Sequence, residues 1–113
     1  MEIELHPEAD LEFIEASRRY ESKVPGLGVS FIDEFEGLKD LLGQHPEIGV
    51  RITKTFRRAV FRKFPFSVIY SIEGPLIWVI AVAHQSPWLL AQKTMTYNYV
   101  FQPTNSRYAR IRG

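Results

Sequence analysis

Apolar positions form three patterned stretches in the first half of the chain. Residues 2–5 alternate acidic and apolar side chains, which predicts a short strand with one buried face. Apolar residues then recur at helical spacing, which predicts a first helix over about residues 8–23 and a second along the stripe at residues 31–42. The Pro-Gly-Leu-Gly segment at residues 25–28 predicts a turn, and Gly43 is expected to cap the second helix. So short a connection favours an antiparallel helical hairpin.

After Pro46 the apolar pattern changes to the alternation that is typical of strands. Residues 57–64, 66–72 and 76–83 predict three strands, and residues 73–75 predict the hairpin turn between the last two. The final strand is apolar on both faces, as is expected of a central strand. The predicted fold class is therefore α+β: an N-terminal strand, an antiparallel two-helix hairpin and a three-stranded antiparallel meander. The hairpin is expected to cover one face of the sheet, and the first strand to pair within that sheet.

Composition is typical of a single globular domain. Of 113 residues, 45% are hydrophobic and 24% are charged, which excludes a disordered chain. The absence of cysteine excludes disulfides, thiolate zinc sites and cysteine nucleophiles. The longest apolar run, residues 76–83, is too short to span a bilayer, and the acidic N-terminus does not resemble a signal peptide. We therefore expect a cytoplasmic protein with no membrane partner.

Few residues suggest catalysis. His6, His45 and His84 lack metal-ligand spacing, and no glycine-rich phosphate loop, serine nucleophile motif or His-Glu-x-x-His is present, so we predict neither metal nor cofactor. His84 follows the last strand and is a candidate general acid or base, although a structural hydrogen bond is the simpler interpretation. Tyr70, Trp78 and Trp88 could stack on bases, but the place of Tyr70 and Trp78 in the strand alternation favours core packing for these two.

The charge of the chain is divided between its halves. Residues 1–50 carry twelve acidic and four basic residues, and residues 51–113 carry ten basic and one acidic, so a net charge of +1 combines −8 with +9. The densest basic cluster comprises Arg57, Arg58, Arg62 and Lys63. This cluster predicts contact with an anionic target or an acidic segment of a partner. The alternative is an edge strand whose solvated charges prevent aggregation.

Short motifs occur in a distinctive order along residues 2–85. They are His-Pro-Glu-Ala-Asp at 6–10, Pro-Gly-Leu-Gly at 25–28, His-Pro-Glu at 45–47, Arg-Arg at 57–58, Phe-Pro-Phe at 64–66 and Ala-Val-Ala-His at 81–84. Together they resemble the ParE/RelE superfamily of toxins from type II toxin–antitoxin modules, and its ParE-like branch in particular. The resemblance implies a compact α/β fold, a cognate antitoxin, assembly with that antitoxin or with a second toxin, a cytoplasmic location, and a role in plasmid maintenance or growth arrest.

Two activities are known in this superfamily. RelE-like toxins cleave messenger RNA on the ribosome, whereas ParE-like toxins inhibit DNA gyrase and are not nucleases. By the resemblance, RelE-like toxins place arginines near the positions that Ser67 and Gln85 occupy here, and neither residue is basic. The resemblance therefore favours a gyrase inhibitor that is not an enzyme. A metal-independent endoribonuclease, with nucleic acid as its partner, is the alternative.

Residues 86–113 depart from the family pattern, so we expect a toxin domain at residues 1–85 and an atypical tail. Toxins of this branch usually end soon after the last strand with a basic segment that bears Gly-Tyr-Trp. When the gene is read in a frame shifted forward by one base, each new codon spans two neighbouring residues. The codon across Trp88 and Leu89 must then encode glycine, the two codons across residues 92–94 must each encode a basic residue, and the codon across Met95 and Thr96 must be a stop. We therefore interpret the tail as the product of a frameshift near the codon for Ser86, with a natural divergent extension as the alternative.

Overall fold

A computed structural model describes residues 1–85, and the predictions made for residues 86–113 lie outside the described residues. Two helices and five strands follow one another in the order β1 (Glu2–Leu5), α1 (Pro7–Lys23), α2 (Leu27–Gln44), β2 (Val50–Arg51), β3 (Arg57–Val60), β4 (Phe66–Glu73) and β5 (Leu76–His84). The strands form one sheet in the order β1-β5-β4-β3-β2. The prediction of an α+β fold with a helical hairpin and a C-terminal meander is confirmed.

The sheet is mixed, because its first strand runs parallel to its last. β3, β4 and β5 form the predicted antiparallel meander, and β1 lies beside β5 with Glu2 opposite Leu76 and Leu5 opposite Val79. β5 is thus a central strand, in agreement with its apolar pattern on both faces. The sequence did not predict β2, whose two residues are too few to produce a visible alternation.

A β-bulge in β5 shifts by one residue the alternation of its side chains between the two faces of the sheet. Ile69 of β4 pairs with Ala81 and Tyr70 pairs with Val79, so Ile80 is one extra residue on β5. Val79 packs in the cluster beneath the helices, whereas Ile80 and Ala81 both belong to a cluster on the opposite face. The strand therefore keeps apolar contacts on both faces despite the irregularity.

The start of α1 follows its sequence signals. His6 is the N-cap, where its Nδ1 accepts a hydrogen bond of 3.3 Å from the Glu8 amide, and Pro7 occupies the first helical position. Glu8 and Asp10 lie in the first turn, where acidic side chains interact favourably with the helix dipole. His6 thus has the capping role that its position before proline suggests.

The ends of α2 differ from the prediction. The helix already begins at Leu27, after Gly26 adopts the left-handed conformation with φ +88°, so half of the predicted turn is helical. Gly43 was expected to cap the helix but lies inside it, and His45 is the C-cap. The His45 amide donates to the Leu41 carbonyl at 2.8 Å, so the helical hydrogen bonding continues past Gly43 and the helix ends at Gln44.

Aromatic side chains fill the core between the helices and the sheet. Phe31 of α2 is fully buried and lies 4.9–5.8 Å, centroid to centroid, from the rings of five other residues: Phe13, Tyr20, Phe61, Phe64 and Phe66. The second cluster, on the face away from the helices, includes Phe56, Ile69, Trp78 and Ile80. Tyr70 and Trp78 are 0% and 4% exposed, so the prediction that both belong to the core is confirmed.

The predicted strand at residues 57–64 is too long. β3 ends at Val60, and residues 61–65 form the connection to β4. In this connection the backbone amides of Arg62 and Lys63 donate to the carboxylate of Glu34 on α2 rather than to a neighbouring strand. This side chain therefore ends the strand and ties the loop to the helix.

Candidate partner-binding groove

An open groove of about 710 Å³ lies between α2 and residues 60–64. Its apolar lining comes from both sides: Leu27, Leu38 and Leu41 on the helix, and Val60 and Phe64 on the strand side. Leu41 is 45% exposed and Val60 is 50% exposed, although both are apolar. Exposed apolar side chains that share one concave surface are typical of a binding site for another molecule.

Glu34 organises the basic border of this groove. Its carboxylate accepts hydrogen bonds from the Arg62 amide and, at 3.1 and 3.2 Å, from the Lys63 amide. Because these bonds engage the backbone, they leave the charged ends of both side chains exposed to solvent. In the described part of the chain, neither Arg62 nor Lys63 forms an ion pair. The groove thus combines an apolar floor with two cations on the strand side that can meet an anionic partner, and the exposed Asp33 lines it from the helix side.

The four predicted basic residues do not form a single surface. Arg62 and Lys63 border the groove, but Arg57 donates to the Glu47 and Gly49 carbonyls at 3.0 and 2.9 Å and lies 3.7 Å from the Glu47 carboxylate. Its side chain is only 16% exposed, so much of its hydrogen-bonding capacity is used within the fold. Arg57 therefore stabilises the loop before β2.

Arg58 lies on the face of the sheet away from the helices. It pairs across the sheet with Ile69, a member of the second core cluster, and its side chain is half-buried. Its Nε is buried and makes no hydrogen bond within residues 1–85. Arg58 consequently contributes no cation to the groove.

His84 ends β5 in an aromatic and backbone environment. Its imidazole lies edge-on to the Phe66 ring at 5.5 Å, and the next residue, Gln85, is tied to β4 through its side-chain amide, which donates to the Phe66 carbonyl at 3.0 Å. Ser67, one of the positions where the resemblance places a RelE-like arginine, is fully buried. This arrangement gives His84 a structural setting, and neither Ser67 nor Gln85 supplies a guanidinium beside it.

Tyr70 positions the loop that precedes β2, a role that its sequence pattern did not indicate. Its hydroxyl donates to the Pro46 carbonyl at 2.7 Å and accepts from the Gly49 amide at 3.0 Å. Burial raises the pKa of Tyr70, and the hydrogen bond from Gly49 and the nearby Arg57 partly offset this increase. A methyl group on Gly49 would lie 2.5 Å from the hydroxyl oxygen, so the loop approaches this ring as closely as glycine allows.

Residues 1–85 hold neither a metal site nor a membrane-spanning helix. No group of three or more His, Cys, Asp or Glu side chains is arranged to hold a metal ion there. Neither helix in the same residues has the length and apolar character that a membrane crossing requires.

Comparisons with known proteins place the chain in a family. Among solved structures, a chain titled as the chromosomal ParDE toxin–antitoxin system from P. aeruginosa superposes with a TM-score of 0.67. The match covers 76% of this chain and 97% of that chain at 14% sequence identity, so it establishes a shared fold. A family model described as the ParE toxin of the type II toxin–antitoxin system parDE matches residues 3–87. A search of curated proteins finds no match.

The shared fold defines a small α+β protein of the ParE type. Since the family model spans more than half of the chain, the protein belongs to the ParE toxin family of type II toxin–antitoxin systems. The resemblance inferred from the motif order is therefore confirmed. Membership of such a two-component system implies a cognate antitoxin as partner.

Proposed function

We propose that this toxin is neutralised by a cognate antitoxin that binds the groove between α2 and residues 60–64, and that its target is DNA gyrase. The observation that carries the assignment of the antitoxin site is the groove itself. Its floor exposes Leu41 and Val60, and burial of such side chains against a partner is favourable.

The chemistry of the groove defines the antitoxin segment that would fit it. An apolar stripe on that segment would cover Leu41 and Val60, and an acidic residue beside it would meet Arg62 and Lys63. Glu34 does not compete for these side chains, because the loop amides occupy its carboxylate. We therefore expect an amphipathic acidic segment rather than a purely apolar one.

The choice of gyrase over messenger RNA rests on the resemblance and on two positions. Metal-independent RNA cleavage needs groups that accept a proton, donate a proton and stabilise the charge on the phosphate. Ser67 is buried and uncharged, and the Gln85 amide is bound to the backbone of β4, so neither supplies the expected cation. Arg57 is hydrogen-bonded to the loop before β2, Arg58 is half-buried on the sheet face away from the helices, and His84 alone cannot fill all three roles. The absence of these cations favours inhibition through protein contact in the cytoplasm, where it would cause growth arrest or maintain a plasmid.

A charge reversal tests the antitoxin site. The double substitution Arg62→Glu and Lys63→Glu is expected to weaken binding of the antitoxin from the neighbouring gene by at least about tenfold, and to reduce its dependence on salt. The double substitution Arg18→Glu and Arg19→Glu is a matched control, because this adjacent exposed pair lies on α1 outside the groove. Equal affinities for both variants, measured by calorimetry, would refute the proposed site.

We further propose that residues 1–85 are the toxin domain and that the frameshifted tail at residues 86–113 reduces toxicity. The support is the reading-frame argument, since the shifted frame yields the glycine, the basic pair and the stop that the family ending requires. The bases of the gene test this directly: if they cannot encode that ending, the hypothesis fails.

Restoring the frame separates the possible activities. We expect the restored protein to inhibit gyrase in a supercoiling assay and to arrest growth, and this chain to do so weakly or not at all. Cleavage of translated messenger RNA by the restored protein, without an effect on gyrase, would instead identify a ribonuclease. Copurification of the antitoxin with this chain, in the absence of growth arrest, would identify a variant that retains binding alone.

A further inference from the structure

Gly37 occupies an exposed interior position of α2, in the part of the helix that lines the groove. Glycine is among the least favourable residues inside a helix, because it loses more backbone entropy on folding than any other residue. A methyl group built on Gly37 would meet no atom within 4 Å, so packing within residues 1–85 does not require glycine here.

The other glycines of residues 1–85 have reasons within the fold. Gly26 and Gly74 adopt positive φ angles of 88° and 59°. A methyl group on Gly28 would lie 2.6 Å from the Ser17 carbonyl oxygen, and one on Gly49 would lie 2.5 Å from the Tyr70 hydroxyl. Gly43 would place its methyl group 3.2 Å from the Met1 carbonyl oxygen. Gly37 alone among them has an unfavourable conformational cost and open space around it.

Apolar and basic side chains line the groove together with Gly37 and define the chemistry of a molecule that would fit there. Leu41 lies one turn further along the same face of α2, and Val60 lines the groove from the strand side. Both are about half exposed, and both line the same groove as Gly37, where a side chain would have open space. Arg62 and Lys63 border the same groove.

We propose that Gly37 is a specificity-determining residue of this toxin, at which the antitoxin segment makes its closest approach to α2. The inference rests on the proposed function of the groove and adds one residue-level requirement to it. The occupant would insert a bulky apolar side chain, or its own backbone, against the Gly37 Cα, with Leu41 and Val60 on either side. An acidic residue in the occupant would face Arg62 and Lys63.

Substitution of Gly37 separates stability from binding, which a purely structural role would not do. Gly37→Ala is expected to raise the melting temperature of the free toxin by roughly 2–8 °C, because alanine is the better helix former. Gly37→Leu is expected to lower the affinity for the antitoxin from the neighbouring gene by at least tenfold, with Gly37→Ala intermediate. Glu36→Leu is the matched control, since this exposed neighbour does not line the groove and its variant is expected to bind with unchanged affinity.

A second groove variant distinguishes failure of this inference from failure of the proposed function. Leu41→Asp replaces a half-exposed groove residue, so we expect it to fold and to weaken antitoxin binding strongly. If Leu41→Asp weakens binding and Gly37→Leu does not, the role of Gly37 is refuted and the groove remains the antitoxin site. If both variants bind with wild-type affinity, the groove is not the site and both proposals fail.

Discussion

Removal of the Tyr70 hydroxyl should destabilise the fold by an amount that the structure allows us to estimate. Tyr70→Phe removes two hydrogen bonds, to the Pro46 carbonyl and from the Gly49 amide. Each such bond contributes a net ~0.5–1.5 kcal/mol, and a buried donor left without a partner costs more. Gly49 is buried, and the close approach of its backbone to the ring leaves little room for water. We therefore expect a loss of about 2–3 kcal/mol in the free energy of unfolding.

The assay for this prediction is urea denaturation followed by circular dichroism. A loss of this size corresponds to a decrease in melting temperature of roughly 10 °C for a domain of this length, with an unchanged denaturant m-value. Tyr20→Phe is the matched control, because the Tyr20 hydroxyl makes no hydrogen bond within residues 1–85 and the Tyr20 side chain is also partly buried. If the two variants lose the same stability, the argument that the Tyr70 hydroxyl holds the loop is wrong.

The aromatic core, the 61–65 loop and the pKa of Tyr70 can each be tested by one substitution. Phe31→Ala should cost about 3–5 kcal/mol in urea denaturation, because Phe31 is fully buried among aromatic rings; a cost below 1 kcal/mol would contradict this account. Glu34→Ala should destabilise the 61–65 loop by about 1 kcal/mol and accelerate hydrogen exchange at the Arg62 and Lys63 amides, whereas unchanged exchange would exclude the carboxylate as their acceptor. Burial raises the pKa of Tyr70 above its ordinary value of 10.0. The stabilisation that this difference gives to the fold is therefore complete below about pH 10 and is lost as the pH rises through the folded-state pKa. Tyr70→Phe should therefore reduce the alkaline loss of stability, and an unchanged pH profile would refute this.

Periodic patterns account for what the sequence predicted well. The two helical stripes and the alternation of the meander arise from repeated burial of one face, and repetition is visible along the chain. The parallel pairing of β1 was expected only as pairing somewhere in the sheet, because a four-residue strand carries no information on direction. The cap expected at Gly43 was wrong because the helical hydrogen bonding continues for two more residues, to the bond that the His45 amide donates to the Leu41 carbonyl.

The groove was harder to predict because its determinants are contacts between distant residues. Arg62 and Lys63 were identified by charge, but the loop that carries them is tied to Glu34, which is 28 residues from Arg62 along the chain. The helical hairpin was expected to cover the sheet, and Leu41 beside the apolar stripe of α2 is instead 45% exposed. Side-chain contacts with a distant backbone leave no periodic signal, so the sequence could not indicate where the strand would end.

The parallel pair formed by β1 and β5 makes completion of the domain depend on its final segment. Residues 2–5 are synthesised before their partners at residues 76–79, with both helices and three strands between them, so the sheet cannot close until nearly all of the domain exists. A polypeptide released before residue 76 would lack the strand that joins β1 to β4. Prematurely terminated products of this gene would therefore be unable to assemble the sheet, whatever helical structure they form.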